Sequence, residues 1–196
     1  MPFIPSAAQI TSGPSPLPPF SYTAKSTSLF AQLSPHAADL TDIGFTQNSM
    51  YLHPCWLRAG TLDRLAVKVT TLQASNTFRL GLYNDDGTGN PGSLVVDGGT
   101  IDGSSTGDKS VTISTAITQG MYWAAIVEQG GAGGAKCAGL TDNLLSPWYP
   151  VASLTASSLV ASHIITGVSG ALPDPAGTPT SPGYAWRFFI WARYSS

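Results

Sequence analysis

The acidic side chains are the first place to look for chemistry, and their placement argues against it. Glu128 is the sole glutamate, and among ten aspartates Asp85, Asp86, Asp97, Asp102, Asp108 and Asp142 fall in turn-forming clusters. Glycoside hydrolysis needs two carboxyls held across a cleft, one kept protonated by its surroundings. Turn aspartates are solvated and cap backbone N–H groups instead. His36, His53 and His163 lie in unlike segments with neither HxxxH nor HExxH spacing, so neither a zinc site nor a charge-relay base is indicated. The expectation is a protein that is not an enzyme, with no catalytic residue, no cofactor and no metal.

Two other segments carry groups that could bind a ligand. In NDDGTGNPG, Asn84, Asp86 and Thr88 alternate as oxygen donors, which invites a calcium reading. The EF-hand pattern fails, because Val95 stands where a bidentate Glu would close the loop and the flanks read as strands. A tight Asx-rich turn accounts for the segment without metal, and a non-EF calcium site is the alternative. In SPWYP, Pro147 and Pro150 stiffen Trp148 and Tyr149, near Asp142 and Asn143. Flat aromatic faces beside amide and carboxylate groups are what sugar recognition needs, so these four residues are the glycan-contact candidates. The bland reading is that Trp148 plugs the end of a domain.

Composition limits the partners. Charged residues make up 10% of the 196-residue chain and the net charge is −2, with Lys and Arg scattered. Phosphate neutralisation needs clustered cations, so nucleic acid is not an expected partner. No apolar run approaches a membrane span, and the proline-broken start does not read as a signal peptide. Cys55 and Cys137 fit no metal spacing and read as free and buried, with a disulfide as the alternative.

The elements that would position these groups are strands. In LDRLAVKVTT, Leu65, Val67 and Val69 oppose Arg64, Ala66 and Lys68, the two-residue period of a half-buried strand. TFRLGLYN sets Phe78, Leu80 and Leu82 against Arg79, Gly81 and Tyr83, and KSVTIS turns Val111 and Ile113 inward. Gly and Asx clusters between them reverse the chain. MYLHPCWLR and SLVVDGGTID add further strands. MYWAAIVEQ and a closing strand, YAWRFFIWARY, are apolar on both faces, which places them centrally and demands cover for the second face. Trp123, Phe189 and Trp191 are therefore candidates for a subunit interface. The predicted class is an all-β sandwich or jelly roll.

Residues 1–48 differ from this pattern. Pro2, Pro5, Pro14, Pro16, Pro18 and Pro19 fix φ repeatedly and remove backbone donors, which favours an extended arm. Phe3, Ile4, Leu17, Phe20 and Tyr22 are its anchoring candidates. The domain proper is expected over 49–196, with an irregular, interaction-prone loop region at 130–183 in which LTASSLVASHII reads as a strand or short helix.

The succession LRAGTLDRLAVKVTT, FRLGLYNDDGTGNPGSLVVDGGTID, TISTAITQGMYWAAIVEQG and an aromatic closing strand resembles the jelly-roll domains of structural proteins in tailed bacteriophages and gene transfer agents: head fibres or spikes, decoration proteins and tail-tip proteins. The resemblance covers roughly residues 50–129 and 184–194. It implies a jelly-roll β-sandwich built like a carbohydrate-binding module, a virion surface location, trimeric assembly, contacts with capsid, portal or tail subunits, and host polysaccharide as a second partner. A stand-alone carbohydrate-binding module of a polysaccharide-active system is the competing expectation.

Overall fold

Alternation along a strand decides which side chains meet in a core, and in this protein it does so on both faces of one sheet. A computed structural model describes residues 31–32, 41–140, 162–179 and 187–195, and among these every regular element is a strand. The strands are β1 (Ala31–Gln32), β2 (Thr41–Gly44), β3 (Ser49–Leu57), β4 (Gly60–Thr71), β5 (Asn76–Asp85) and β6 (Pro91–Asp102). They continue with β7 (Gly107–Ile117), β8 (Gly120–Gly130), β9 (Lys136–Leu140), β10 (His163–Thr166), β11 (Arg187–Phe188) and β12 (Trp191–Tyr194).

Two antiparallel sheets result. One has five strands in the order β10-β3-β8-β5-β6. The other follows β1-β12-β4-β9-β11, with β7 on the free side of β4 and β2 on β9. The inner faces meet: Leu65, Val67 and Val69 of β4 and Ile113 and Ile117 of β7 pack against Tyr51 of β3, Phe78, Leu80 and Leu82 of β5, and Tyr122, Ala124 and Ile126 of β8. The alternation read in the sequence for β4, β5 and β7 is the alternation of this core. Phe45, just after β2, stacks on Phe188 of β11 with ring centroids 4.1 Å apart. His53 adds a polar tie through the apolar layer, its Nε2 accepting the Phe188 N–H at 3.1 Å.

Strand β8 lies at the centre of its sheet, as its two-sided apolar pattern requires. Its second face, with Trp123, Ala125 and Val127, joins Met50, Leu52 and Tyr83 in a separate core. The cover is a strap formed by residues 167–179, which lays Val168, Leu172 and Ala176 over that face. Polar anchors hold the strap down. Gln129 Nε2 donates to the carbonyls of Val168 and Gly170, and Leu172 N donates to Asp97 Oδ2, which also pairs with Arg79 at 2.7 Å. Tyr83 donates its hydroxyl proton to Pro173 O.

One sequence expectation needs correction. The closing segment is not one strand: β11 pairs with β9 and β12 pairs with β4, with Phe189 and Ile190 between them. The cause is a change of partner, since β12 takes β4 at Leu62–Ala66 while β9 takes it at Val69 and Thr71. The sheet also includes strands ahead of residue 49. β1 pairs with β12, and β2 pairs with β9 and buries Ile43. Within 130–183 the described residues form β9, β10 and the strap.

Candidate functional site

The described residues form a cleft of about 390 Å³ at one end of the five-stranded sheet, lined by Asp86, Asn90, Pro91, His163, Gly177, Thr178 and Pro179. Three elements build it. The β5–β6 turn supplies one wall, the end of the strap supplies the other, and β10 supplies the imidazole of His163.

The turn wall is stiffened by its own side chains. Asp86 Oδ1 accepts from Thr88 N and Thr88 Oγ1 at 2.7 Å each and from Asn90 N at 3.1 Å. Those bonds, the Thr88 hydroxyl foremost, hold the Asp86 carboxyl below the usual carboxylate range. Asp85 Oδ1 accepts from Gly87 N, and its Oδ2 accepts from the indole N–H of Trp123 at 3.0 Å. The opposite wall is tied to the sheet: Ala176 N donates to Gly92 O, and Leu94 N donates to Asp174 Oδ1. His163 packs against Trp123 with ring centroids 4.9 Å apart, and burial pushes its pKa down, which favours the neutral imidazole.

A carboxylate, an amide and a hydroxyl therefore line the cleft beside two proline rings, while both ring nitrogens of His163 are buried. Such a set suits hydrogen bonding to a small polar ligand. Of the groups considered for calcium, Asp86 Oδ1 and Thr88 Oγ1 accept hydrogen bonds within the turn, and Asn84 donates its amide N–H to Ser93 Oγ. Among the described residues, no three His, Cys, Asp or Glu side chains gather where they could hold a metal ion.

The other candidates fall as follows. Trp148, Tyr149, Asp142 and Asn143, and the arm residues Phe3, Ile4, Leu17, Phe20 and Tyr22, lie outside the described residues. Trp123 is 1% exposed and Phe189 0%, each covered by its own chain, while Trp191 is half-buried beside Phe189 and Ala138. Cys55 and Cys137 are both free and buried, and burial pushes the Cys55 thiol up to about 12.

Sequence reasoning missed the G-x-S-x-G spacing of Gly103–Gly107, the pattern of a hydrolase nucleophile elbow. An elbow needs a strand-to-helix turn, whereas this one joins β6 to β7. Ser105 Oγ donates to Asp102 and accepts from Lys109, and Lys109 is ion-paired with Asp102 at 3.2 Å. Both partners of Ser105 belong to that ion pair, so the serine is tied into the turn. The pairing of His163 with Trp123 was also missed, because the two lie forty residues apart and only the folded sheet brings them together. No known family model, curated protein or solved structure matches this chain.

Proposed function

We propose that this protein is a non-enzymatic structural protein of a phage-like particle: a jelly-roll sandwich displayed on head or tail as a decoration, fibre or spike subunit, attached through the arm ahead of β1. The observation that carries the reading is the nesting of strand pairs. β5 pairs with β6, β4 with β7 and β3 with β8, the pattern of a two-stranded ribbon rolled upon itself. The stretches RLGLYNDDGTGNPG and GMYWAAIVEQ, which carry the resemblance to virion jelly rolls, form β5 with its following turn and β8. The acidic side chains of Asp85, Asp86, Asp97 and Asp102 serve turns and the strap, which fits a scaffold. Host surface glycan is the proposed second partner, and a homotrimer the proposed assembly.

Deleting residues 1–22 tests the attachment. The truncated chain is expected to fold and to be lost from purified particles; undiminished copy number per particle by mass spectrometry refutes the arm as anchor. The cleft of Asp86, Asn90, His163 and Thr178 favours, as a second reading, a carbohydrate-binding module working apart from any particle. A glycan array with the parent and Trp148→Ala tests the sugar contact, and a parent that binds no glycan removes both the module reading and the proposed host contact.

A further inference from the structure

Glu128, the chain's only glutamate, is 0% exposed and plugs the end of the core, with no ion-pair partner among the described residues. On β8 it follows Tyr122, Ala124 and Ile126 along the inner face, and on β5 Asn76 begins the row that continues through Phe78 and Leu80. The two side chains meet where that row ends: Asn76 Nδ2 and Glu128 Oε1 are 2.6 Å apart. Glu128 Oε1 also accepts the Ala135 N–H at 2.9 Å, from the turn between β8 and β9. Glu128 Oε2 and Asn76 Oδ1 are buried with no hydrogen-bond partner among the described residues.

We propose that Glu128 is held in the folded protein as the neutral acid, its proton shared with Asn76, and that this pair is a proton-dependent lock on the turn joining β8 to β9. Three features of the geometry point there. A full charge on a carboxylate whose second oxygen is buried and unpartnered is costly, and neutralisation relieves that cost. A separation of 2.6 Å is short for N–H···O and ordinary for O–H···O, as if the Asn76 amide were turned over so that its Oδ1 accepts the Glu128 proton. Among the described residues, the surroundings also carry no compensating charge. β9 presents the Cys137 thiol, whose ionisation a Glu128 anion would oppose. β5 presents only the neutral Asn76 amide, the turn after β8 presents the N–H groups of Gly134 and Ala135, and the β6–β7 turn presents Gly103. Burial accordingly raises the Glu128 carboxyl above an ordinary glutamate, and the bonds from Ala135, Asn76 and Gly134 do not cancel the rise.

Backbone hydrogen bonds gather several loops around the pair. Gly103 N donates to Asn76 O, Gln73 N donates to Gly103 O, and Asn48 N donates to Glu128 O, so the turns before β3, before β5 and after β6 all abut the pair. Because the folded pKa is raised, the stabilisation is complete below the unfolded pKa and is lost as pH rises through the folded one. The device tightens in acid and loosens toward neutral and alkaline pH.

A single side-chain carboxyl signal makes the test direct. Cell-free synthesis with ¹³C-glutamate labels Glu128 alone among side-chain carboxyls of this type, and its titration midpoint in the folded protein is expected above the ordinary value of 4.5. A midpoint at or below that value overturns the proposal. Glu128→Gln, which keeps a donor toward Asn76 and carries no charge, supplies a second reading. The unfolding constant of the parent relative to E128Q is expected to climb by up to tenfold per pH unit between the unfolded and folded midpoints, then level off. A ratio unchanged from pH 4 to 8 overturns it as well. Should E128Q fail to fold, the parent's titration decides.

Discussion

The Leu172 side chain occupies the space that a β-carbon on Gly81 would need, so the strap reaches β5 only because position 81 has no side chain. The carbonyl of Val96 closes the same space from β6, 2.8 Å from where that carbon would stand. Gly81 thus marks the point where the outer face of the five-stranded sheet is shaped to receive a segment 91 residues further along the chain.

Gly81→Ala is expected to destabilise the fold by about 1–3 kcal/mol through overpacking. Leu172→Ala should cost about 2–5 kcal/mol by leaving a cavity. The double variant should cost less than the sum, since the smaller side chain at 172 makes room for the methyl at 81. Urea denaturation of the three variants measures the cycle, and strict additivity would mean that the two residues do not share that space.

Asp97 fastens the strap electrostatically. Burial pushes its carboxyl up, but the Leu172 N–H, the Arg79 guanidinium and the Gly99 N–H outweigh burial and hold it below the usual range. A depressed folded pKa contributes stability that is present above the unfolded pKa and is lost as pH falls through the folded one. Asp97→Asn should therefore flatten the acid limb of the stability profile below about pH 4. It should also speed amide exchange at Leu172. Unaltered exchange there, by hydrogen-exchange mass spectrometry or NMR, would show that the ion pair does not secure the strap.

His53 accepts the Phe188 N–H with Nε2, so its ring must carry the proton on Nδ1 in the folded state. Long-range ¹H–¹⁵N correlation spectra at neutral pH should report that tautomer. His53→Leu leaves a buried donor without its acceptor and should cost about 1–3 kcal/mol, read by thermal unfolding, with His53→Gln losing less. Equal losses would assign the cost to packing alone.

Both thiols should be inert in the folded protein. With Cys55 pushed up to about 12 and Cys137 higher still by burial, neither offers thiolate at neutral pH. An aromatic disulfide reagent is expected to titrate none without denaturant and two in urea. Prompt reaction of either thiol under native conditions would mean that the core opens locally at that strand.

The legible part of the fold was the inner face. Leu65, Val67 and Val69, or Phe78, Leu80 and Leu82, declare themselves because a strand's side chains alternate whatever it pairs with. The two-sided character of β8 was legible for the same reason, and it correctly demanded a second layer. What supplies that layer was not legible: Val168, Leu172 and Ala176 sit in a segment rich in Gly and Pro, with no periodicity to mark it. The closing segment was misread as one strand because Trp186 to Trp191 alternates without interruption, and alternation does not record a change of partner. The candidate cleft was least visible of all. Asp86 was noticed for its oxygens together with Asn84 and Thr88, but nothing in the sequence joins it to His163 or Thr178.

By itself, then, the amino-acid sequence determined that the chain is built of strands, where most of them turn and which side chains face inward, since these follow from local geometry and solvent exclusion. Only the tertiary structure decided that the strap covers β8, that His53 joins the sheets and that Glu128 meets Asn76. Each of those relations depends on which strands lie side by side, and pairing between distant segments is fixed by the packing of the whole core instead of by any residue's neighbours in the chain.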